Sequence, residues 1–316
     1  MSERAESGGA AASPGGATEA TAPHGVGVPG PPTAIALLFV LAVFFWLTGA
    51  LFPTEIPTYA TSALQITGMA LMLILVPAYL VAALWLAQRR SLRLVDELRP
   101  RLPDKRVADT AAGRIRGALR RGWIPGAAGG FAMGMLNTNF REALAREAPV
   151  VDLSINSGQI LLWLLIGLVI STRIHTGFTF RGVAEHVELA LLEPDRLKAM
   201  SRTGVVDVAL AAGAMLLSPL QSLDAEFRWY NYQNAFLVVI PTIAFALVWP
   251  LQPLHRRNRA ERDARLAVLD AQLERLSDGA PATAEDAARL ETLLAHRDRL
   301  RTARTWPLSM GLLSRV

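Results

Sequence analysis

The sequence predicts an all-α fold: a multi-pass transmembrane helical bundle that carries an αα-hairpin of charged helices on its cytoplasmic side. Three observations predict it. The apolar residues gather in blocks of about twenty, long enough to cross ~30 Å of hydrocarbon. The basic residues fall predominantly on one side of those blocks. After the last block the chain turns to charged segments with leucine at helical spacing.

Residues 1–32 are almost wholly Ala, Gly, Ser, Thr and Pro. They have too few apolar side chains for a core and read as a disordered tail. The first span, about 33–52, is too long for a cleavable signal core and reads as an uncleaved anchor. A short loop leads to the second span, about 63–87, in which Pro77 predicts a kink. Residues 88–121 are strongly basic and broken by Pro100 and Pro103, so they read as short helices, with 114–121 at the membrane surface. Residues 122–136 are uncharged and glycine-rich. Fifteen helical residues cover only ~22 Å, short for a crossing. This segment is either a short sixth span or a glycine loop on the surface.

The third clear span is about 157–171, with Asn156, Ser157 and Gln159 at its start. The fourth is about 204–220. Trp229, Tyr230 and Tyr232 then mark an interfacial aromatic belt before the fifth, about 235–251. The transmembrane domain is thus 33–253. In 254–304, Leu266, Leu269, Leu273 and Leu276 form one stripe, and Leu290, Leu293, Leu294 and Leu300 a second, across a turn at 277–282. Residues 305–316 read as an interfacial segment.

Orientation decides between five crossings and six. With six, the N-tail, 88–121, 172–203 and 255–316 hold 1, 11, 5 and 12 basic residues on one side. The opposite side holds none, then Arg141 and Arg146, then Arg228. With five crossings the two most basic segments fall on opposite sides, against the positive-inside rule. Six crossings with both termini cytoplasmic is the expectation. Only two of the 32 basic residues are lysine, which with abundant Ala, Gly, Pro and Arg suggests a GC-rich genome and a bacterial inner membrane.

Composition also excludes. There are no cysteines, hence no disulfide, thiolate nucleophile or Cys-based metal site. The net charge of +5 comes without aromatic-interleaved basic patches, so it points to the lipid bilayer and not to nucleic acid. Of the five histidines, none pairs with another at i,i+3 or i,i+4. Glu185, His186 and Glu188 fall short of a metal cage and read as a charged helix face. No phosphate-binding, nucleophile-elbow or dinucleotide motif is present. No cofactor, metal or catalytic residue is therefore expected.

Two features remain as candidates. Gly126, Gly130 and Gly134 have the small-xxx-small spacing that lets helices approach closely. Asp207 is the one acid inside an expected span, a candidate for ion coupling, although a place near a cytoplasmic helix start makes a carboxylate inexpensive there. The spans otherwise hold no Arg, Lys, Glu or His, which argues against a transporter built on paired charges.

From Leu161 onward the chain resembles a group of uncharacterised bacterial multi-pass membrane proteins. The shared features are a span ending in Thr172-Arg173-Ile174-His175, a turn with Phe178, Phe180, Arg181 and Gly182, and a Leu-Glu-Pro at 192–194. Two spans, a charged helix and Arg304-Thr-Trp306-Pro307 follow. The resemblance implies architecture only. Proteins of this kind continue from the Trp-Pro into a further apolar span, whereas here the sequence given ends at Val316.

The expected function is a membrane platform: the spans anchor the hairpin, which binds a protein partner or self-associates through 255–304, coiled-coil fashion. The alternative is a channel or transporter with the glycine-rich helix in its pathway. An intramembrane enzyme is the third reading.

Overall fold

The computed structural model describes residues 27–54, 62–145, 150–187, 198–223, 230–277 and 283–302. Several expectations fall outside them: the tail through residue 26, the Leu-Glu-Pro at 192–194, Trp229, most of the 277–282 turn, and the Trp-Pro and interfacial segment at 303–316.

The described regular structure is helical: α1 (Pro31–Leu47), α2 (Ala63–Leu98), α3 (Lys105–Arg116), α4 (Ala118–Leu136), α5 (Phe140–Ala145), α6 (Val150–Ala184), α7 (Lys198–Leu216), α8 (Tyr230–Val248), α9 (Gln252–Ser277) and α10 (Ala284–Thr302). Local chemistry sets several boundaries. Pro31 and Pro32 open α1, where the missing N–H costs nothing. Ser62 caps α2, its hydroxyl accepting from the Gln65 backbone N–H at 3.1 Å. Asp104 caps α3 through the Arg106 N–H at 2.8 Å.

Among the described residues three helical stretches are long and apolar enough to cross a membrane, at 63–101, 150–184 and 204–222. This corrects the five clear spans expected from sequence. Helix α1 is apolar but has only 17 residues. Helix α8 opens on Tyr230-Asn-Tyr-Gln-Asn234, so its apolar stretch is short. Residues 118–136 are a helix and not a loop, but one that contains Arg120, Arg121 and five glycines.

Two helices run well past their expected ends. Helix α2 continues beyond residue 87 to Leu98, and α6 beyond residue 171 to Ala184. Their extensions are held by a second apolar core outside the hydrophobic blocks. Leu94, Val95 and Leu98 of α2 meet Ala108, Ala112 and Ile115 of α3, Phe180 and Val183 of α6, and Leu254 of α9. Arg257 of α9 closes the end of α6, donating to the carbonyls of Ala184 at 2.9 Å and Val187 at 3.1 Å. A guanidinium there satisfies orphan carbonyls and opposes the negative end of the helix dipole.

The first core lies within the apolar blocks, where Leu41 and Phe45 of α1 pack on Ile66, Met69 and Leu73 of α2 and Ile155 of α6. The opposite face of α1 exposes Ile35, Phe39, Val40, Trp46 and Leu47, as a lipid-facing helix does. At the other end of the chain α9 and α10 pack on each other, with Leu269 and Leu300 buried and Arg297 Nε donating to Asp270 at 2.6 Å.

Candidate functional site

The closest helix contact is that of α4 with α6. Gly122, Gly126, Gly130 and Gly134 are buried at four-residue spacing along one face of α4. Helix α6 lies against that face with Ser171, Gly167, Trp163 and Ile160 in turn, so the two run antiparallel. A Cβ on Gly126 would sit 2.8 Å from the Gly167 carbonyl oxygen, and one on Gly130 2.7 Å from the Leu164 Cα. Backbone meets backbone there. Gly129, on the other face, has open space around it.

On another side of α6 lies a cavity of about 500 Å³, walled by α2, α6, α7 and α8. Its middle is apolar, formed by side chains such as Val76, Leu80, Ile166, Val169, Leu210 and Val239. Helix α8 is held in place by an aromatic cluster: Trp249, just beyond its end, stacks on Phe245, meets Phe178 of α6 edge-on, and receives the Arg181 guanidinium at 4.5 Å. On the α2–α7 side, Tyr79 donates to the Leu210 carbonyl at 2.8 Å, with its ring end against Gly213.

One end of the cavity holds charge. Asp207 of α7 accepts from Arg173 Nη2 at 2.5 Å, and both side chains are nearly buried, 14% and 11% exposed. Arg173 Nη1 also donates to Ser91 of α2 at 3.2 Å, and the Ser91 hydroxyl donates to the Ala87 carbonyl. A layer deeper in the protein, Gln88 donates to the Ile115 carbonyl at 2.6 Å and accepts from Thr176. Ser91, Gln88 and Thr176 are fully buried. This polar layer ties α2, α3, α6 and α7 together, because a buried polar group is tolerable only when partnered.

The layer corrects the expectation that the spans lack paired charges. Arg173 looks like the charge that ends a span, yet it sits inside the continuous helix α6. Its partner lies 34 positions on, in another helix. Sequence reasoning missed Arg173, Gln88 and Ser91. The available signal was the run Thr172, Thr176, Thr179, Phe180 and Val183, which continues a buried helical face past Arg173.

The other end of the cavity is polar but uncharged. Asn137 and Asn139 follow α4, Gln159 lies on α6, Ser218 and Gln221 follow α7, and Gln233 is in the first turn of α8. Residues from four parts of the chain converge there.

The remaining expected site residues fall elsewhere. The glycines of α4 do not line the cavity; α4 itself contributes only Leu136. Of the leucine stripes, Leu266, Leu273, Leu276, Leu290 and Leu293 are half-buried, Leu269 is buried and Leu294 is exposed. Glu185 and His186 are exposed, and among the described residues no cluster of metal-ligating side chains occurs.

The chain matches no protein-family model, and no curated protein or solved structure matches it. No relative's activity can be carried over to this cavity.

Proposed function

We propose that the chain is a multi-pass protein of a bacterial inner membrane that binds and moves a mainly apolar solute through the cavity between α2, α6, α7 and α8. One observation carries this reading: a cavity of about 500 Å³ with apolar walls, an ion pair at one end and amides at the other. Sites for small molecules have this make-up, mostly apolar lining with a few convergent polar groups. An intramembrane ion pair is expensive and marks a pathway more often than a scaffold. The platform reading has less support, because most leucines of 255–304 are buried or half-buried where α9 and α10 pack on each other. A partner or second copy would meet mainly charged side chains, with Leu294 and Val268 the exposed apolar ones.

The test is retention. Full-length protein released gently from membranes should carry a non-covalently bound amphiphile in native mass spectrometry. Ala211→Trp with Ala214→Trp, which place two indoles in the α7 wall, should abolish that adduct without changing insertion. Equal adducts in both proteins would mean that the cavity holds nothing specific.

We further propose six crossings with both termini cytoplasmic, the three long apolar helices being accompanied by the shorter α1, α4 and α8. Helix α4 lies antiparallel along the apolar part of α6 over its whole glycine face, which supports its crossing beside α6. The lack of native cysteine makes a direct test possible. Arg146→Cys should react in intact cells with a thiol reagent that cannot cross the membrane, while Ser2→Cys and Ala271→Cys should not. Labelling at 271 without labelling at 146 would mean five crossings with the basic tail outside.

A further inference from the structure

Resting on the cavity reading above, we infer that the cavity's ligand is a single-chain amphiphile from the bilayer with an uncharged, hydroxyl-bearing head group, its head among the amides and its chain reaching toward Arg173 and Asp207.

The length of the cavity argues for a chain. From Gln159 to Arg173, both in its lining, α6 rises ~21 Å at 1.5 Å per residue. A hydrocarbon core of ~30 Å is two leaflets deep, so one leaflet's chain spans ~15 Å and leaves room for a head. The walls between the two ends are apolar apart from Thr242 of α8.

The two ends then decide the head group. Among the described lining residues Arg173 and Asp207 alone are charged, they sit together at one end, and each answers the other's charge. That end offers an ionised head no uncompensated charge, although the buried Arg173 Nε has no partner among the described residues. The opposite end has carboxamides and a hydroxyl, which donate and accept hydrogen bonds without charge. Asn139, Gln159 and Gln233 make no side-chain hydrogen bond within the described residues. Hydroxyls match such groups in both directions. A carboxylate or ammonium placed there would meet no counter-charge among the described lining residues, and loss of its hydration would be costly.

Trp163 lines the cavity one turn from Gln159 and supplies a reporter. The full chain in phosphatidylcholine nanodiscs would be titrated with three probes that share one brominated chain: a monoacylglycerol, the free fatty acid and the alkylamine. Bromine quenches indole fluorescence on contact, and the Trp163→Phe difference isolates the signal from the other tryptophans. The expected result is saturable quenching by the monoacylglycerol, with the acid and the amine at least about tenfold weaker. Gln159→Leu with Gln233→Leu should weaken the monoacylglycerol about tenfold, the cost of hydrogen-bonding groups left without partners. Equal binding of all three probes, tighter binding of the acid, or no effect of the double substitution overturns the head-group assignment while the cavity reading stands. Absence of saturable Trp163 quenching by any probe overturns the cavity reading itself, and the inference with it.

Discussion

Arg173→Met is expected to destabilise the protein by about 3–5 kcal/mol, the cost of leaving one partner of a buried ion pair without the other. Asp207 is nearly buried and lies 2.5 Å from the guanidinium, so its carboxylate would have neither water nor cation beside it. Ser91 would lose its contact with Arg173 Nη1 as well. Asp207→Leu should cost a similar amount for the mirror reason, with a guanidinium left buried. The informative variant is the pair, Arg173→Met with Asp207→Leu. Replacing both charges by apolar groups of similar size removes both desolvation penalties, and such exchanges are often near neutral. Denaturant midpoints of the three proteins check this. If the double variant is as unstable as the two singles added together, the two side chains are not acting as a pair. The double variant also separates stability from function. If it folds but no longer retains an amphiphile, the charges belong to the pathway and not merely to the fold.

How much of this was legible in the sequence follows from the range of the interactions involved. Hydropathy is local, and it located the apolar stretches of α2, α6 and α7 well. It stopped the spans in α2 and α6 just before the first arginine, because a charge after an apolar run normally marks the interface. In α2 and α6 the helix goes on, since Leu94, Leu98, Phe180 and Val183 have a second core to enter. That core draws on α3 and α9, far away in sequence, and no spacing rule brings them together. The same applies to the site. The neighbours of Asp207 in sequence are apolar, and nothing within one helical turn announces Arg173. The amides of the opposite end are scattered from Asn137 to Gln233, and each alone looks like an ordinary polar residue at a helix end. The leucine stripes were legible as stripes. What they face was not, because an amphipathic helix shows the same pattern whether its partner is another chain or the next helix.

The glycine face of α4 was the most legible feature, and it supplies the sharpest contrast between neighbouring positions. Gly130→Leu is expected to be severely destabilising, about 3 kcal/mol, near the upper end for overpacking. The added side chain would start against the Trp163 carbonyl and the Leu164 Cα, which are backbone atoms of a long helix and cannot swing aside. Gly167→Leu should be as damaging from the other side, since its Cβ would meet the Gly126 carbonyl and, at 2.8 Å, the Gly130 nitrogen. Gly129→Ala is the control. It lies one residue from Gly130 on the same helix, but a Cβ there has no neighbour within 4 Å. Alanine should be tolerated, or stabilise by up to ~1 kcal/mol through its higher helix propensity. Thermal unfolding in one detergent ranks the three. Labelling of Arg146→Cys in the Gly130→Leu background then gives the consequence for topology. A short, weakly apolar helix has little reason to stay in lipid without its seat on α6, so exposure of position 146 should fall with the loss of packing. If Gly129→Ala were as harmful as Gly130→Leu, the damage would not follow the α6 contact, and α4 would not be seated by its glycines.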